Sequence, residues 1–301
     1  MAKQKPNIIF FFTDQQRWDT CGCYGQPLQV TPNLDKFASE NALFKNAYTC
    51  QPVCGPARSC LQTGLYPTST GCYRNDIGLP INEKTIAEYF SEYGYKVGYI
   101  GKWHLASNYS DFSGSNIPEG MDRRDYKTTP IPIELRGGWK DQWIASDLLE
   151  FTSHSYDGYL FDKQNNKKTI PEGTYRADAI TDWALDQIQE WGTQEDPFFL
   201  FLSYIEPHHQ NDHNHYEGPI GSKEKFKDFI PPKDLQSLEG DWKDEYPDYL
   251  GAINNLDYNF GRIYEVIKDL GIMNDTYLIF TSDHGSHFRT RNRELLSGCY
   301  D

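Results

Sequence analysis

Asn7-Ile8-Ile9-Phe10-Phe11-Phe12-Thr13 is an almost continuous apolar run near the start of the chain, and Asp14 follows it directly. A strand of this kind is typical of a sheet whose two faces are both covered by helices. Similar apolar runs occur at 95–100, 198–204 and 277–281, and amphipathic stretches with helical spacing separate them. This alternation predicts an α/β fold in which a sheet packs between helices.

Capping residues and apolar spacing predict the helices between these strands. Thr31 and Pro32 are typical of an N-cap followed by the first helical position. Further helices are expected over 83–93, 175–191 and 249–270. Two ranges rich in polar residues and glycine are expected to be long loops, 106–174 and 205–245.

Chemically reactive side chains follow each of the four predicted strands. The segments are Asp14-Gln15, Gly101-Lys102-Trp103-His104, Glu206-Pro207-His208-His209 and Ser282-Asp283-His284-Gly285. Because ligands bind beyond the carboxyl ends of parallel strands, we expect these groups to converge on one site. A single Asp after a strand is more often a helix cap than a ligand. Four such segments together favour a functional site.

The charge balance narrows the classes of partner. The chain has 301 residues, with 29 Lys and Arg against 43 Asp and Glu, and its formal charge is −14. This balance argues against nucleic-acid binding, which depends on cations that neutralise phosphates, but it permits a locally positive pocket. No apolar run approaches the ~20 residues of a membrane helix, and no signal peptide is visible. We therefore expect a cytoplasmic protein without a membrane partner, in which the seven cysteines are reduced.

The stretch Cys54-Gly55-Pro56-Ala57-Arg58 combines a thiol, a helix start and a fixed positive charge. Pro56 is typical of the first turn of a helix, which places Cys54 at the N-terminus of that helix. Free N–H groups and the helix dipole stabilise an anion there and lower the pKa of a thiol. Arg58, one turn further on, adds a guanidinium beside the sulfur. The pattern indicates either a nucleophilic cysteine in an anion-binding niche or a structural cysteine at a helix start.

The same residues carry a family resemblance. Cys54-Gly55-Pro56-Ala57-Arg58, followed by Leu61-Gln62-Thr63-Gly64, resembles the C-x-P-x-R motif of type I sulfatases, which belong to the alkaline-phosphatase-like superfamily. Other segments resemble the family in the same order, namely Pro6-Asn7-Ile8-Ile9 leading to Asp14, Thr31-Pro32-Asn33-Leu34-Asp35, Gly101-Lys102-Trp103-His104-Leu105, Pro207-His208 and Ser282-Asp283-His284-Gly285. The resemblance covers residues 6–301.

The resemblance implies a three-layer fold with a mostly parallel mixed sheet and helices on both faces. It also implies that residues 1–301 form the N-terminal catalytic domain of a sulfatase. Because sulfatases are substantially longer, we expect this chain to be incomplete at its C-terminus and to lack the smaller C-terminal subdomain of the family.

The resemblance further implies a metal centre and a modified cysteine. In the family the motif cysteine is oxidised to formylglycine, so Cys54 would carry this group and a formylglycine-generating maturation enzyme would be a partner. Asp14, Gln15, Asp283 and His284 would bind one divalent cation together with the modified Cys54. Oxygen ligands favour Ca²⁺, our first expectation, or Mg²⁺, whereas an imidazole leaves Mn²⁺ and Zn²⁺ open.

Basic side chains receive catalytic roles from the same resemblance. Arg58 would hold the hydrated aldehyde, and Lys102 would neutralise charge on the sulfate oxygens. His104 would hydrogen-bond the second hydroxyl of the hydrate and assist the collapse of the sulfated intermediate. His208 would protonate the leaving alcohol, a task suited to a group that titrates near neutral pH, and His209 is the alternative for that role.

Two departures from the usual pattern concern the metal and the substrate. Many sulfatases have Asp-Asp and Asp-Asn where this chain has Asp14-Gln15 and Asp283-His284. The present combination also resembles the choline-sulfatase and phosphonate monoester hydrolase branch, which keeps phosphoryl esters open as substrates. The family also places a substrate-binding lysine beyond the Asp-His-Gly segment, but no lysine follows Lys268.

Other basic residues near the end of the chain are candidates to replace that lysine. His287 and Arg289 are the candidates for contact with the sulfate group. Arg291 and Arg293 lie further along the tail.

Two further groups of residues have competing interpretations. The loop after the third predicted strand contains four histidines, which are His208, His209, His213 and His215. They could form a zinc cluster, but in a polar loop we expect all except His208 to be solvated. Trp139 and Trp143 line a sugar-binding wall in one interpretation and pack in the core or a lid in the other.

These patterns support three functional hypotheses. The leading one is metal- and formylglycine-dependent hydrolysis of sulfate esters of a carbohydrate, an aryl group or a small alcohol. The second, on the same fold, is hydrolysis of phosphonate monoesters or phosphodiesters. The third is a non-catalytic homologue that binds sulfated ligands without turnover.

Overall fold

The computed structural model describes residues 5–108 and 123–290, and a seven-stranded sheet runs through its centre. The strands are β1 (Asn7–Thr13), β2 (Lys96–Lys102), β3 (Gln142–Ser146), β4 (Tyr159–Asp162), β5 (Lys167–Thr169), β6 (Phe198–Ser203) and β7 (Thr276–Ser282). Their order across the sheet is β5-β4-β3-β2-β6-β1-β7. The five neighbouring strands β3, β2, β6, β1 and β7 run parallel, and β4 and β5 pair antiparallel at one edge. The prediction of a mostly parallel mixed sheet is confirmed.

Helices cover both faces of the sheet. They are α1 (Pro32–Glu40), α2 (Cys54–Thr63), α3 (Pro67–Thr70), α4 (Ile86–Glu92), α5 (Arg176–Gly192), α6 (Ser222–Lys225), α7 (Lys233–Gln236) and α8 (Trp242–Asp269). Side chains of α1, α5 and α8 pack with Ile9 and Phe11 on one face, whereas Phe12, Tyr99 and Phe201 on the other face pack with α2 and α4. The three predicted layers are therefore present. Within the described ranges, no helix combines the length and the apolar composition needed to cross a bilayer.

Strand β1 lies between β6 and the edge strand β7, and its carboxyl end leads into the site. Ile9 pairs with Leu200 of β6 on one side and with Leu278 of β7 on the other. Because these neighbours are parallel, their carboxyl ends lie along one edge of the sheet. Asp14 leaves β1 at that edge, fully buried.

The prediction of a long loop over 106–174 is wrong in part, because three strands lie within that range. Strand β3 extends the parallel sheet beyond β2, with Ile144 opposite Ile100, and β4 and β5 form the antiparallel edge. Strand β5 is short and mostly exposed, so it has no apolar run by which its sequence could be recognised. The range 205–245 is closer to the prediction, since it contains the short helices α6 and α7 and the first residues of α8.

Two helix starts differ from their predictions. Thr31 occupies the N-cap position of α1 but does not cap it, since its hydroxyl donates to Asp35 Oδ1 at 3.0 Å. Helix α8 begins at Trp242, seven residues before the predicted start at 249. Trp242 and Tyr246 are both buried in one apolar cluster, and their packing holds the helix through Pro247.

Trp139 and Trp143 belong to the core. Both are fully buried and pack around Tyr99 and Trp103 on the face of the sheet that α4 covers. The interpretation of these two residues as a sugar-binding wall is therefore wrong, because a fully buried ring cannot contact a sugar from solution.

Candidate active site

The carboxyl ends of β1, β2, β6 and β7 bring the predicted site residues together. Backbone hydrogen bonds join the end of β1 to the segments after β6 and β7. The Asp14 N–H donates to Glu206 O and the Asp283 N–H donates to Thr13 O, each at 3.3 Å. The Gln15 N–H donates to the Asp283 carboxylate at 2.8 Å. The expected convergence of four strand ends is therefore observed.

Cys54 is the first residue of α2 and is only 1% exposed. Its thiol lies 3.4 Å from Asp14 Oδ1 and 3.2 Å from His284 Nε2. Burial raises the pKa of the thiol, and the negative charge of Asp14 raises it further, against the opposing charge of Lys102. The predicted lowering of this pKa by the helix N-terminus is wrong, because desolvation and a neighbouring carboxylate outweigh the dipole. Unmodified Cys54 is therefore a protonated thiol at neutral pH.

Asp14 lies between two cations. Arg58 Nη2 donates to Asp14 Oδ2 at 2.8 Å, and Lys102 Nζ lies 3.0 Å from the same oxygen. Burial alone would raise the pKa of Asp14, but the charges of Lys102, His208 and Arg58 hold it well below its usual range. The carboxylate therefore stays ionised, with its other oxygen directed to Cys54.

Arg58 is fixed by the strand ends that surround it. Its Nη1 donates to Lys102 O at 2.9 Å and to Ser203 Oγ at 2.8 Å, and its guanidinium lies 5.1 Å from the centroid of the Phe12 ring. The sequence pattern does not single out Ser203, although its position at the end of β6 is a usable signal. Glu150, 3.8 Å from Lys102 Nζ, comes from the range predicted to be a loop and carries no such signal.

Four buried side chains form a group that suits a metal ion. The ligand atoms of Asp14, Cys54, Asp283 and His284 all lie within 4.8 Å of one another. Asp283 Oδ1 accepts the His284 N–H at 2.7 Å, whereas the buried Oδ2 accepts no hydrogen bond from the described residues. His284 Nδ1 contacts Gly285 O at 2.9 Å, and a proton on Nδ1 leaves the Nε2 lone pair for a ligand bond. An uncompensated buried carboxylate oxygen beside an imidazole fits a divalent cation.

Gln15 borders this group but uses its side chain elsewhere. Its backbone is left-handed, with φ at 66°. Its Oε1 accepts the His209 N–H at 3.3 Å, and Tyr249 donates its hydroxyl to the Gln15 carbonyl at 2.6 Å. Metal ligation by Gln15 stays a prediction, and the amide oxygen has a second lone pair for it beside the hydrogen bond from His209.

His104 follows β2 in a left-handed conformation, with φ at 59°. Its N–H donates to Asp147 O at 2.8 Å, and the Asp147 carboxylate accepts the N–H groups of the next three residues at 2.9 to 3.0 Å. Burial lowers the pKa of His104 well below its usual range, and the charges of Lys102 and Arg58 lower it further. The ring is therefore neutral. Asp147 positions this segment, and nothing in its sequence context reveals that role.

His208 and His209 differ in environment. His208 Nδ1 contacts the His209 carbonyl at 2.5 Å. Burial and Lys102 lower the pKa of His208, but the charge of Asp14 and the contact with Cys54 outweigh them and raise it. Burial and the charge of His208 lower the pKa of His209 to about 3, so that ring is neutral. The raised pKa therefore favours the protonated form of His208, beside Asp14 and Cys54, more than in a free imidazole.

The candidates for sulfate contact have other partners. Arg289 Nε lies 3.3 Å from Asp241 Oδ2, and Arg289 also donates to the Asn214 side chain. His287 is buried, and its carbonyl accepts the N–H of Thr290 at 3.0 Å. Sulfate contact by His287 and Arg289 stays a prediction, and the two tail arginines that follow them lie outside the described residues.

Comparison with known proteins agrees with this geometry. Residues 6–300 match the model of the family described as Sulfatase. The chain belongs to the sulfatase family. An ulvan-active sulfatase of Formosa agariphila is 32% identical to this sulfatase-family chain, over 93% of the chain and 50% of that relative. An N-acetylgalactosamine-6-sulfatase of Mus musculus is 27% identical, over 95% of the chain and 51% of that relative. The resemblance inferred from the Cys54 motif is confirmed.

A solved structure gives the same result for the fold. The yidJ protein of Bacteroides fragilis matches with a TM-score of 0.78 and 27% identity, over 99% of this chain and 65% of that one. The alkaline-phosphatase-like architecture is therefore confirmed. The chain spans about half the length of the curated relatives it matches.

Proposed function

We propose that this chain carries the catalytic site of a sulfatase, which hydrolyses sulfate esters with a formylglycine formed from Cys54. The observation that carries the proposal is the buried four-residue ligand group, with Arg58, Lys102 and His208 packed against it. Acidic ligands, fixed cations and a proton donor are the parts that transfer of an anionic group requires.

The state of Cys54 supports a modified nucleophile. A buried thiol with a raised pKa is a weak nucleophile at neutral pH. Oxidation removes two electrons from Cβ, which pass to the oxidant used by the maturation enzyme. Sulfur leaves as hydrogen sulfide, and water supplies the aldehyde oxygen. Hydration of the aldehyde then places two hydroxyl groups where the thiol was.

The metal centre is part of the same proposal. Asp14, Asp283 and His284, joined by the modified Cys54 and by Gln15, would hold one divalent cation, with Ca²⁺ as the first candidate. When bound, the cation polarises the sulfate oxygens and lowers the pKa of the attacking hydroxyl. The remaining chemistry belongs to the side chains of the chain itself.

Lys102 and Arg58 supply the fixed positive charge. Both are buried, and Asp14 and Glu150 lie close enough to offset much of their combined charge. A divalent cation in the ligand group would make the local sum positive, and the pocket would then attract a sulfate group although the chain as a whole carries −14. Arg58 is held by three hydrogen bonds and stays in place, so its role is to fix Asp14 and the hydrated aldehyde. Lys102 neutralises charge on the sulfate oxygens.

His208 and His104 are assigned to two different proton transfers. The raised pKa of His208 favours its protonated form, and its Nδ1 is engaged by a backbone carbonyl. Its Nε2 therefore donates the proton to the leaving alcohol. His104 is neutral because its pKa is lowered, so it accepts a proton from the second hydroxyl.

We propose a sulfated carbohydrate as the substrate class. This extension is supported by the N-acetylgalactosamine-6-sulfatase among the relatives. A sugar also suits a proton-donating imidazole, since a sugar alkoxide is a poor leaving group that needs protonation.

The test begins with protein matured in a host that contains the formylglycine-generating enzyme. Mass spectrometry of the Cys54 peptide is expected to show the aldehyde or its hydrate. Hydrolysis of an aryl sulfate and of a panel of sulfated sugars is expected to need a divalent cation and to vanish in Cys54→Ala. Cys50→Ala is the matched control, because Cys50 is exposed and touches none of the ligand atoms. Unmodified thiol together with full activity in Cys54→Ala would contradict the proposal.

Two further measurements separate the rival functions. The ratio of kcat/KM for matched sulfate and phosphonate esters is expected to favour sulfate, and a ratio that favours phosphonate would identify a phosphoryl hydrolase. Binding of a sulfated sugar by matured, metal-loaded protein without any turnover would identify a non-catalytic homologue.

A further inference from the structure

A second group of metal-ligating side chains lies outside the active site, in the loop between β6 and α6. His213, His215 and Glu217 are every second residue of this segment, and their ligand atoms lie within 4.8 Å of one another. Their side chains are 42%, 48% and 13% exposed. We infer that these three residues bind Zn²⁺ or a similar first-row transition-metal dication. The inference does not rest on the proposed sulfatase activity.

Glu217 is the centre of this group. Its Oε1 contacts His213 Nδ1 and lies 3.6 Å from His215 Nε2. Its Oε2 accepts hydrogen bonds from the Ser155 hydroxyl at 2.5 Å and from the Ser155 N–H at 3.3 Å. Ser155 therefore fixes one carboxylate oxygen and aims the other between the two imidazoles. Tetrahedral zinc with bonds of about 2.0–2.2 Å separates its ligand atoms by roughly 3.3 Å, so the His215–Glu217 pair is already close to ligand spacing.

His215 is arranged as a metal-binding histidine. Its Nδ1 contacts the Tyr216 carbonyl at 2.9 Å, which places the ring proton on Nδ1 and the lone pair on Nε2. A backbone carbonyl on the second nitrogen is a common partner of metal-bound histidine. Gln210 donates its N–H to His215 O at 2.9 Å and closes the turn that holds the residue. The lone pair therefore faces Glu217 before any ion is present.

His154 lies against this group but has its own partners. Its ring stacks on His213, with centroids 4.3 Å apart and planes at 15°. His154 Nδ1 lies 2.7 Å from Asp157 Oδ1, and Nε2 lies 3.0 Å from Asp212 Oδ2. Both ring nitrogens are thus occupied by carboxylates. Because these carboxylates hold both of its ring nitrogens, His154 supports His213 by stacking and does not ligate the same ion.

The donor set defines the class of ion. Two imidazoles and one carboxylate favour zinc-like ions, whereas Ca²⁺ and Mg²⁺ prefer oxygen ligands alone. Three protein ligands leave a fourth tetrahedral position for water or for a ligand from solution. A bound ion would join the turn that contains His213 to the loop that contains Ser155. Between the ligands lies Tyr216, which is buried against His209 in the wall of the active site.

The experiment measures the zinc content of the full chain, in which any zinc held by Asp14, Cys54, Asp283 and His284 contributes equally to the variants compared. Equilibrium dialysis against Zn²⁺ is followed by metal analysis of wild type, His213→Ala, His215→Ala and the control His154→Ala. Wild type and His154→Ala are expected to bind one equivalent more than the other two variants. Loss of one of three ligands is expected to weaken this site on the order of 10–100-fold or more. Co²⁺ in the same site is expected to give the strong visible absorption of a four-coordinate ion.

Three results would overturn the inference. Equal zinc content in wild type, His213→Ala and His215→Ala would do so, provided that circular dichroism shows all three to be folded. Loss of the ion in His154→Ala with retention in His215→Ala would assign it to other ligands. Loss in Cys54→Ala alone would place the zinc in the active site. None of these results depends on sulfate hydrolysis, so the proposed function can fail or hold independently.

Discussion

Asp14→Asn is expected to destabilise the metal-free protein strongly, because it removes the carboxylate that separates two buried cations. Asp14 Oδ2 lies 2.8 Å from Arg58 Nη2 and 3.0 Å from Lys102 Nζ, and all three side chains are buried. Asparagine keeps the shape but leaves both cations without this counter-charge. Breaking a buried ion pair from one side costs about 3–5 kcal/mol in the free energy of unfolding.

Asp283→Asn is the matched control. Asp283 Oδ1 accepts the N–H groups of Gln15 at 2.8 Å and His284 at 2.7 Å, and an asparagine oxygen can accept both. Its Oδ2 faces His284 Nε2 at 3.2 Å, and an amide NH₂ can donate there. The expected cost without metal is therefore below about 1 kcal/mol. Both variants remove a proposed ligand, so both should lose the additional stability that the proposed binding of Ca²⁺ would give the wild type.

The assay is denaturant unfolding at neutral pH, first with a chelator and then with excess Ca²⁺. The Asp14→Asn penalty should not fall between pH 8 and pH 5, and it should grow as pH drops through the folded pKa of His208, because the charge of Asp14 raises that pKa. Because the pKa of Asp14 is lowered in the fold, its contribution is complete above the unfolded value of 3.8 and is lost as pH falls through the folded value. Equal destabilisation of the two variants without metal would refute the reasoning.

Other consequences can be checked one at a time. Gly101→Ala should lower the free energy of unfolding by about 3 kcal/mol or more, since φ is 120° and a Cβ would lie 1.8 Å from Ser203 O. Gly64→Ala is the comparison, because Gly64 is also left-handed but has open space around the position of a Cβ, and it should cost about 1–2 kcal/mol. Chemical denaturation of both variants measures this, and equal costs would contradict the close approach. Asp147→Asn should lower the free energy of unfolding by about 2–4 kcal/mol, because the carboxylate accepts three N–H groups and asparagine cannot accept them all. A loss below about 0.5 kcal/mol would contradict the role of Asp147 in positioning this segment. In unmodified, metal-free protein, iodoacetamide should alkylate the exposed Cys50 well before the buried Cys54. The alkylation rate of Cys54 should still rise with pH above 9, because burial and the charge of Asp14 raise the pKa of that thiol. Peptide mass spectrometry follows both sites, and equal rates at pH 8 would argue against a buried, protonated thiol.

The sequence was sufficient for the parallel sheet and for the site because both depend on strong local signals. The run at 7–13 is typical of a strand that has neighbours on both sides and helices on both faces, and parallel strands place their carboxyl ends together whatever connects them. Asp14, Lys102, His208 and Asp283 follow such runs, so their convergence could be predicted without any knowledge of the loops. The Cys54 motif added the family.

The remaining differences have physical causes that local patterns do not contain. Strands β4 and β5 are short, partly exposed and held by their neighbours, so their composition resembles that of loops. The pKa of Cys54 depends on Asp14, a residue 40 positions away in the chain, and on burial, neither of which the helix start reveals. Glu150 and Asp147 reach the site from the range 106–174, where no motif marks them.

The burial of Cys54 also sets an order of events during synthesis. The thiol is covered by Asp14, 40 residues earlier, and by His284, 230 residues later. A chain growing at about 5–20 residues per second exposes the Cys54 segment for at least ten seconds before His284 is made. Once β7 docks beside β1, an enzyme that must grasp the polypeptide around Cys54 can no longer reach it. In the proposed function, oxidation of Cys54 would therefore compete with folding, and the fraction of molecules that carry the aldehyde would depend on which of the two is faster.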